Sequence, residues 1–153
     1  MRVKTNIARE LDSHLFPILD ELAASEITLD YARREVFGLK IWSVKAAIEN
    51  CRKSGSKRLK LQSSYEKAMT KVYKSSFPDS PVQFGLFLDD TGASYKVALK
   101  INDLGQTSGK IGAAFSKALL GFDDDKHVRE LGSALFSMKY SVALQYLNKK
   151  WVL

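Results

Sequence analysis

Cysteine and histidine are scarce in this chain, and each scarcity closes off some chemistry. Cys51 is the only cysteine, so no internal disulfide can form. A reducing setting, cytoplasmic or nuclear, fits a chain without cross-links. The two histidines, His14 and His127, lie far apart. With the one cysteine on an apolar line, no nucleophile–base pair suggests itself. Long hydrophobic runs are also missing: none approaches the roughly 20 residues that span a bilayer. The opening stretch, MRVKTNIARELDSHLF, contains acids and no unbroken apolar core, unlike a secretory signal. No membrane association is expected.

What is present is ordinary in amount and unusual in placement. Hydrophobic residues make up 45% of the 153 residues and charged residues 27%, which suits one folded domain, 1–153, rather than a disordered chain. Acids are nearly missing from one stretch. Between Arg52 and Lys74 there are eight bases (Arg52, Lys53, Lys57, Arg58, Lys60, Lys67, Lys71 and Lys74) against a single acid, Glu66. The local balance of +7 equals the formal net charge of the whole chain, so charges elsewhere cancel. A sequence pI near 9.5, concentrated in one place, implies a polyanionic partner.

Residues 6–24 carry a helical stripe of Ile7, Leu11, Leu15, Ile18 and Leu22, with a kink or restart expected near Ser13–Pro17. Thr28 is placed to cap a second helix running to about Lys53. Leu29, Ala32, Val36, Leu39 and Ala46 lie on one face of it, and Phe37, Ile41, Val44, Ile48 and Cys51 form a second apolar line. So wide an apolar arc predicts a central helix. Ser54-Gly55-Ser56 should end it and leave a flexible link to Lys57. A third helix over 58–76 would bury Leu61, Tyr65, Ala68 and Val72. Its Lys60, Lys67, Lys71 and Lys74 fall at offsets that draw one basic ridge on the other side. After the turn at Phe77–Pro81, the period changes. Val82, Phe84, Leu86 and Leu88 alternate with other residues, and Tyr95, Val97, Leu99 and Ile101 do so again beyond Asp90-Thr91-Gly92-Ala93. That pattern predicts an antiparallel β-hairpin over 82–101. A loop at Asn102–Gly109, a helix from about Ser108 to Leu120 ended by Gly121, and a last helix to about Lys150 complete the chain. The last helix would turn Val128, Leu131, Leu135, Met138 and Val142 inward. The fold class expected is therefore α+β and mainly helical, about five helices packed on one hairpin.

Four motifs invite a chemical reading. Asp90-Thr91-Gly92 resembles the active-site string of aspartic proteases. Yet Asp89 and Lys96 break the flanking apolar pattern and no second copy exists, so it reads as the hairpin turn. Gly105-Gln106-Thr107-Ser108-Gly109-Lys110 resembles a P-loop one residue short, with Ile111 where the metal-binding Ser or Thr belongs. Its milder reading is a phosphate contact through Thr107, Ser108 and Lys110 at a helix start. Asp123-Asp124-Asp125 beside His127 matches no metal-site spacing and reads as a helix cap. Gly38 with Val44 matches half of a helix-turn-helix, which would put Lys40, Ser43, Lys45, Asn50 and Arg52 toward a groove. One unbroken helix through Gly38 is the simpler reading.

No catalytic constellation, cofactor site or metal site emerges, so an enzyme is not expected. The sequence points to a small nucleic-acid-binding protein. Arg52, Lys53, Lys57, Arg58, Lys60, Lys67, Lys71 and Lys74 would hold the phosphate backbone, and Tyr73 would flank the ridge as a base-stacking ring. The alternative is an interaction module, inhibitor or adaptor, whose basic face meets an acidic protein. DNA and RNA, single and double strands, and oligomeric states all stay open.

Overall fold

Thirteen consecutive residues, Val36 to Ile48, are buried, and the rest of the molecule is built around them. The computed structural model describes residues 29–121 and 123–149. Among these it has five α-helices, α1 (Leu29–Asn50), α2 (Gly55–Ser76), α3 (Phe84–Tyr95), α4 (Leu104–Leu120) and α5 (Lys126–Leu147), plus a 3₁₀ turn at Lys96–Leu99. The stripe predicted over 6–24, its kink and the Thr28 cap lie outside the described residues.

The doubly apolar α1 touches all four other helices, and its most extensive packing is on α5. Such a helix cannot lie at a surface without exposing one of its apolar lines, which is why it is central. It runs unbroken through Gly38, so the helix-turn-helix is absent and Lys40, Ser43 and Lys45 are buried rather than facing a groove. Gly38 is there for proximity: a Cβ would sit 2.7 Å from Thr91 Cγ2 and 3.2 Å from Phe87 Cζ.

The expected β-hairpin is not formed; the fold is helical among the described residues, and the α+β class is corrected. A second pattern overrode the alternation. Phe84, Phe87, Thr91, Tyr95 and Ala98 are buried, at steps of three, four, four and three, which is one helical stripe, and Gly92 is buried beside Thr91. Leu86, which the hairpin needed inside, is 61% exposed. Asp90-Thr91-Gly92 is therefore helix interior, not a turn, and Asp90 faces solvent. Thr91 Oγ1 accepts from Trp42 Nε1 at 2.9 Å and donates to the Phe87 carbonyl at 3.0 Å. Gly92 lies so close to Trp42 that a Cβ would meet its ring at 2.8 Å.

Capping sets the remaining boundaries. Ser54 Oγ accepts the Lys57 amide, Asp103 the Gln106 amide and Asp125 the Val128 amide. The Ser54–Lys57 stretch is thus the capped start of α2, not a flexible link. Gly121, at φ 82°, closes α4 in the left-handed conformation that glycine adopts freely. Helix α5 ends at Leu147 and buries Val128 and Leu135 as expected, but the rest of its buried face is rotated from the expected one. Gly132, Phe136, Lys139, Tyr140 and Ala143 are buried, while Met138 is exposed. Glycine explains the rotation: Gly112 and Gly132 bring α4 and α5 together, where a Cβ on Gly112 would lie 2.4 Å from the Arg129 carbonyl. None of the described helices is long and apolar enough to cross a membrane.

Candidate nucleic-acid interface

Helix α2 packs on α1 and α3 and presents its opposite side outward. Tyr65, Met69 and Tyr73 are its buried residues, at steps of four. Its inner face is partly polar and is bonded to α1. Arg58 Nη1 donates to the Glu49 carbonyl at 3.1 Å, and Gln62 Nε2 donates to the Lys45 carbonyl and to Glu49 Oε1, both at 3.0 Å. Glu66, the one acid of the basic stretch, pairs with Lys45. The Lys45 ammonium also lies 5.4 Å from the centre of the Trp42 ring.

The outer face has a composition of its own. An arc of about 120° centred on Lys60, at 100° per residue, contains Ser56, Lys57, Lys60, Ser63, Ser64, Lys67, Lys71, Lys74 and Ser75. Every residue on it is Lys or Ser. Lys57, Lys60, Lys67, Lys71 and Lys74 are all exposed, and among the described residues no acid pairs with any of them. They span about 25 Å at 1.5 Å per residue. Such a face concentrates positive potential on one side and offers hydroxyl donors between the charges.

The other candidates are placed elsewhere. Arg52 and Lys53 sit in the α1–α2 connection, which is tied to the end of α5. The Arg52 amide donates to Asn148 Oδ1 at 2.8 Å and Lys53 Nζ to the Lys149 carbonyl at 3.3 Å. Arg58 is half-buried against α1. Tyr73 is on the wrong side of α2 for the ridge: it is 3% exposed, packed among Phe37, Phe77, Phe84 and Phe87. Its hydroxyl donates to the Val82 carbonyl at 2.8 Å and meets Ser80 Oγ at 2.8 Å.

Thr107, Ser108 and Lys110 do not stand at a helix start, because Asp103 caps α4 a full turn earlier. The Thr107 amide is bonded to the Asp103 carbonyl at 3.0 Å. Ser108 Oγ donates to the Ser133 carbonyl at 3.0 Å and lies 2.8 Å from Ser137 Oγ. These serines join α4 to α5, and only Lys110 of the three is exposed.

Two features escaped the sequence reading. One is a pair of buried lysines, Lys40 on α1 and Lys139 on α5, each 1% exposed. Burial, and after it the neighbouring Lys139 charge, lowers the Lys40 pKa to about 7, and burial lowers that of Lys139 to about 8. The other is a groove of about 930 Å³ between α2 and α3, whose lining includes Lys67, Lys74, Phe77, Pro81 and Leu88. The stripe from Phe84 to Ala98 was its only sequence signal, since the groove exists only if that segment is a helix. No family model matches the chain, and neither the curated proteins nor the solved structures give a match.

Proposed function

We propose that this chain is a small, non-enzymatic nucleic-acid-binding protein that grips the phosphate backbone with the outer face of α2. The observation that carries this reading is the all-Lys/Ser arc, whose five exposed lysines have no acidic partner among the described residues. Solubility asks for mixed surface charge, whereas phosphate binding favours an unbroken cationic strip. The one acid of the stretch, Glu66, lies off the arc and is paired with Lys45, so its charge is offset by a base outside the strip. Arg52 and Lys53 extend the positive region toward the end of α5. Contacts of this kind are salt-sensitive and weak in sequence preference. A lone cysteine, buried at Cys51, suits a reducing setting, in the cytoplasm or nucleus.

The test is fluorescence anisotropy with labelled 20-mers against wild type and the quadruple variant Lys60→Glu, Lys67→Glu, Lys71→Glu, Lys74→Glu. The expected result is micromolar-range binding at low salt that the variant loses, with the helical circular-dichroism spectrum unchanged in both. Absence of binding by wild type at 50 mM salt would overturn the reading and redirect the ridge to an acidic protein partner.

A further inference from the structure

The ridge and the groove are neighbours, and Lys67 and Lys74 belong to both. We infer that the ligand is single-stranded, and that the groove between α2 and α3 receives one of its bases while the ridge holds the adjoining phosphates. This inference rests on the proposed nucleic-acid reading and adds the kind of strand.

Three observations carry it. The groove has apolar surface beside the lysines: Phe77 and Leu88 are half-buried in it, and Pro81 is exposed along it. A stacked or wedged base gains from such a surface whatever its identity. The wall is also preformed. Prolines 78 and 81 restrict the backbone of the α2–α3 connection, and the Tyr73 hydroxyl fixes it from beneath through Ser80 and the Val82 carbonyl. Finally, the electrostatics favour a nucleotide. The only acid lining the groove is Glu66, already paired with Lys45. Gln83 at the start of α3 makes no side-chain cap, so first-turn amides have no side-chain acceptor and can serve a phosphate or a base carbonyl. A duplex could lie along the ridge but would keep its bases stacked and paired, out of reach of the groove.

Gly85 offers a way to close the groove. It lines the groove and is exposed, and nothing lies within 4 Å of where its Cβ would be. Anisotropy is measured with three labelled ligands of equal length: a single-stranded DNA 20-mer, an abasic strand with the same phosphates, and a DNA duplex. Wild type is expected to bind the base-bearing strand about tenfold more tightly than the abasic one, the order of effect of one stacked base. Gly85→Trp should remove that difference, with the helical circular-dichroism spectrum unchanged. Equal binding of base-bearing and abasic strands by wild type would overturn the groove inference yet leave the ridge reading intact, and this comparison needs no variant at all. Failure of all three ligands to bind at 50 mM salt would overturn both.

Discussion

Glycine at three positions shows how local geometry decides the effect of a single methyl group. A Cβ at Gly112 would lie 2.2 Å from Ser133 Oγ and 2.4 Å from the Arg129 carbonyl oxygen, which is backbone and cannot step aside. Gly112→Ala should therefore push α4 from α5 and destabilise the protein by about 1–3 kcal/mol. Gly132→Ala meets the Phe115 side chain at 2.8 Å and should act in the same direction. Gly85→Ala meets nothing within 4 Å and should stabilise by about 0.4–1 kcal/mol, because alanine restricts the unfolded chain. Urea denaturation of the three variants checks signs and order. Lys40 supplies a pH dependence. Its pKa falls to about 7 in the folded protein from an ordinary 10.5, so between those values the unfolded chain holds more protons than the folded one. Stability should rise with pH across that window, measurably from pH 7 to 9. Lys40→Met should flatten the rise, leaving the smaller share from Lys139. A urea midpoint that falls over this range in wild type would contradict the burial of Lys40. At this scale the sequence was only partly legible. The exposed lysines of the ridge stand where their spacing puts them, but Tyr73 does not, because its spacing from Tyr65 and Met69 places it on the buried stripe. No pattern in the sequence announces that Lys40 and Lys139 are both buried.

The segment from Phe84 to Leu99 shows how two periodicities can be written in the same residues. Alternation at Val82, Phe84, Leu86 and Leu88 satisfies a strand, while Phe84, Phe87, Thr91, Tyr95 and Ala98 satisfy a helix. Tertiary packing decides between them, because Phe87 and Thr91 reach Phe37, Tyr73 and Trp42 only from a helix. Substitutions separate the two patterns. Leu86→Lys should cost under about 0.5 kcal/mol, since Leu86 is 61% exposed. Phe87→Ala should cost about 3–5 kcal/mol by opening the aromatic cluster. The reverse order in urea midpoints would restore the hairpin. Helices α1, α2, α4 and α5 were legible from their long apolar stripes. The start of α4 was misplaced because Asp103 was read as loop, and with it went the free amides near Ser108.

Across the whole molecule, apolar and cationic functions are divided between helices. Helix α1 takes the apolar load and touches every other helix, which leaves α2 with a narrow buried stripe and a wide solvent face. The concentration of charge in residues 52–74 was legible from composition alone. That the lysines form one strip without acids required the fold, because only the fold turns Glu66 toward Lys45. The most direct measurement of the central claim is the slope of log K against log salt for a single-stranded 20-mer. Five ridge lysines that each displace a counterion predict a slope of about −3.5, from −0.7 per phosphate contact. Each single Lys→Gln change at Lys57, Lys60, Lys67, Lys71 or Lys74 should shallow it by about 0.7. A wild-type slope near zero, or one that these changes leave untouched, would show that the outer face of α2 does not hold phosphates.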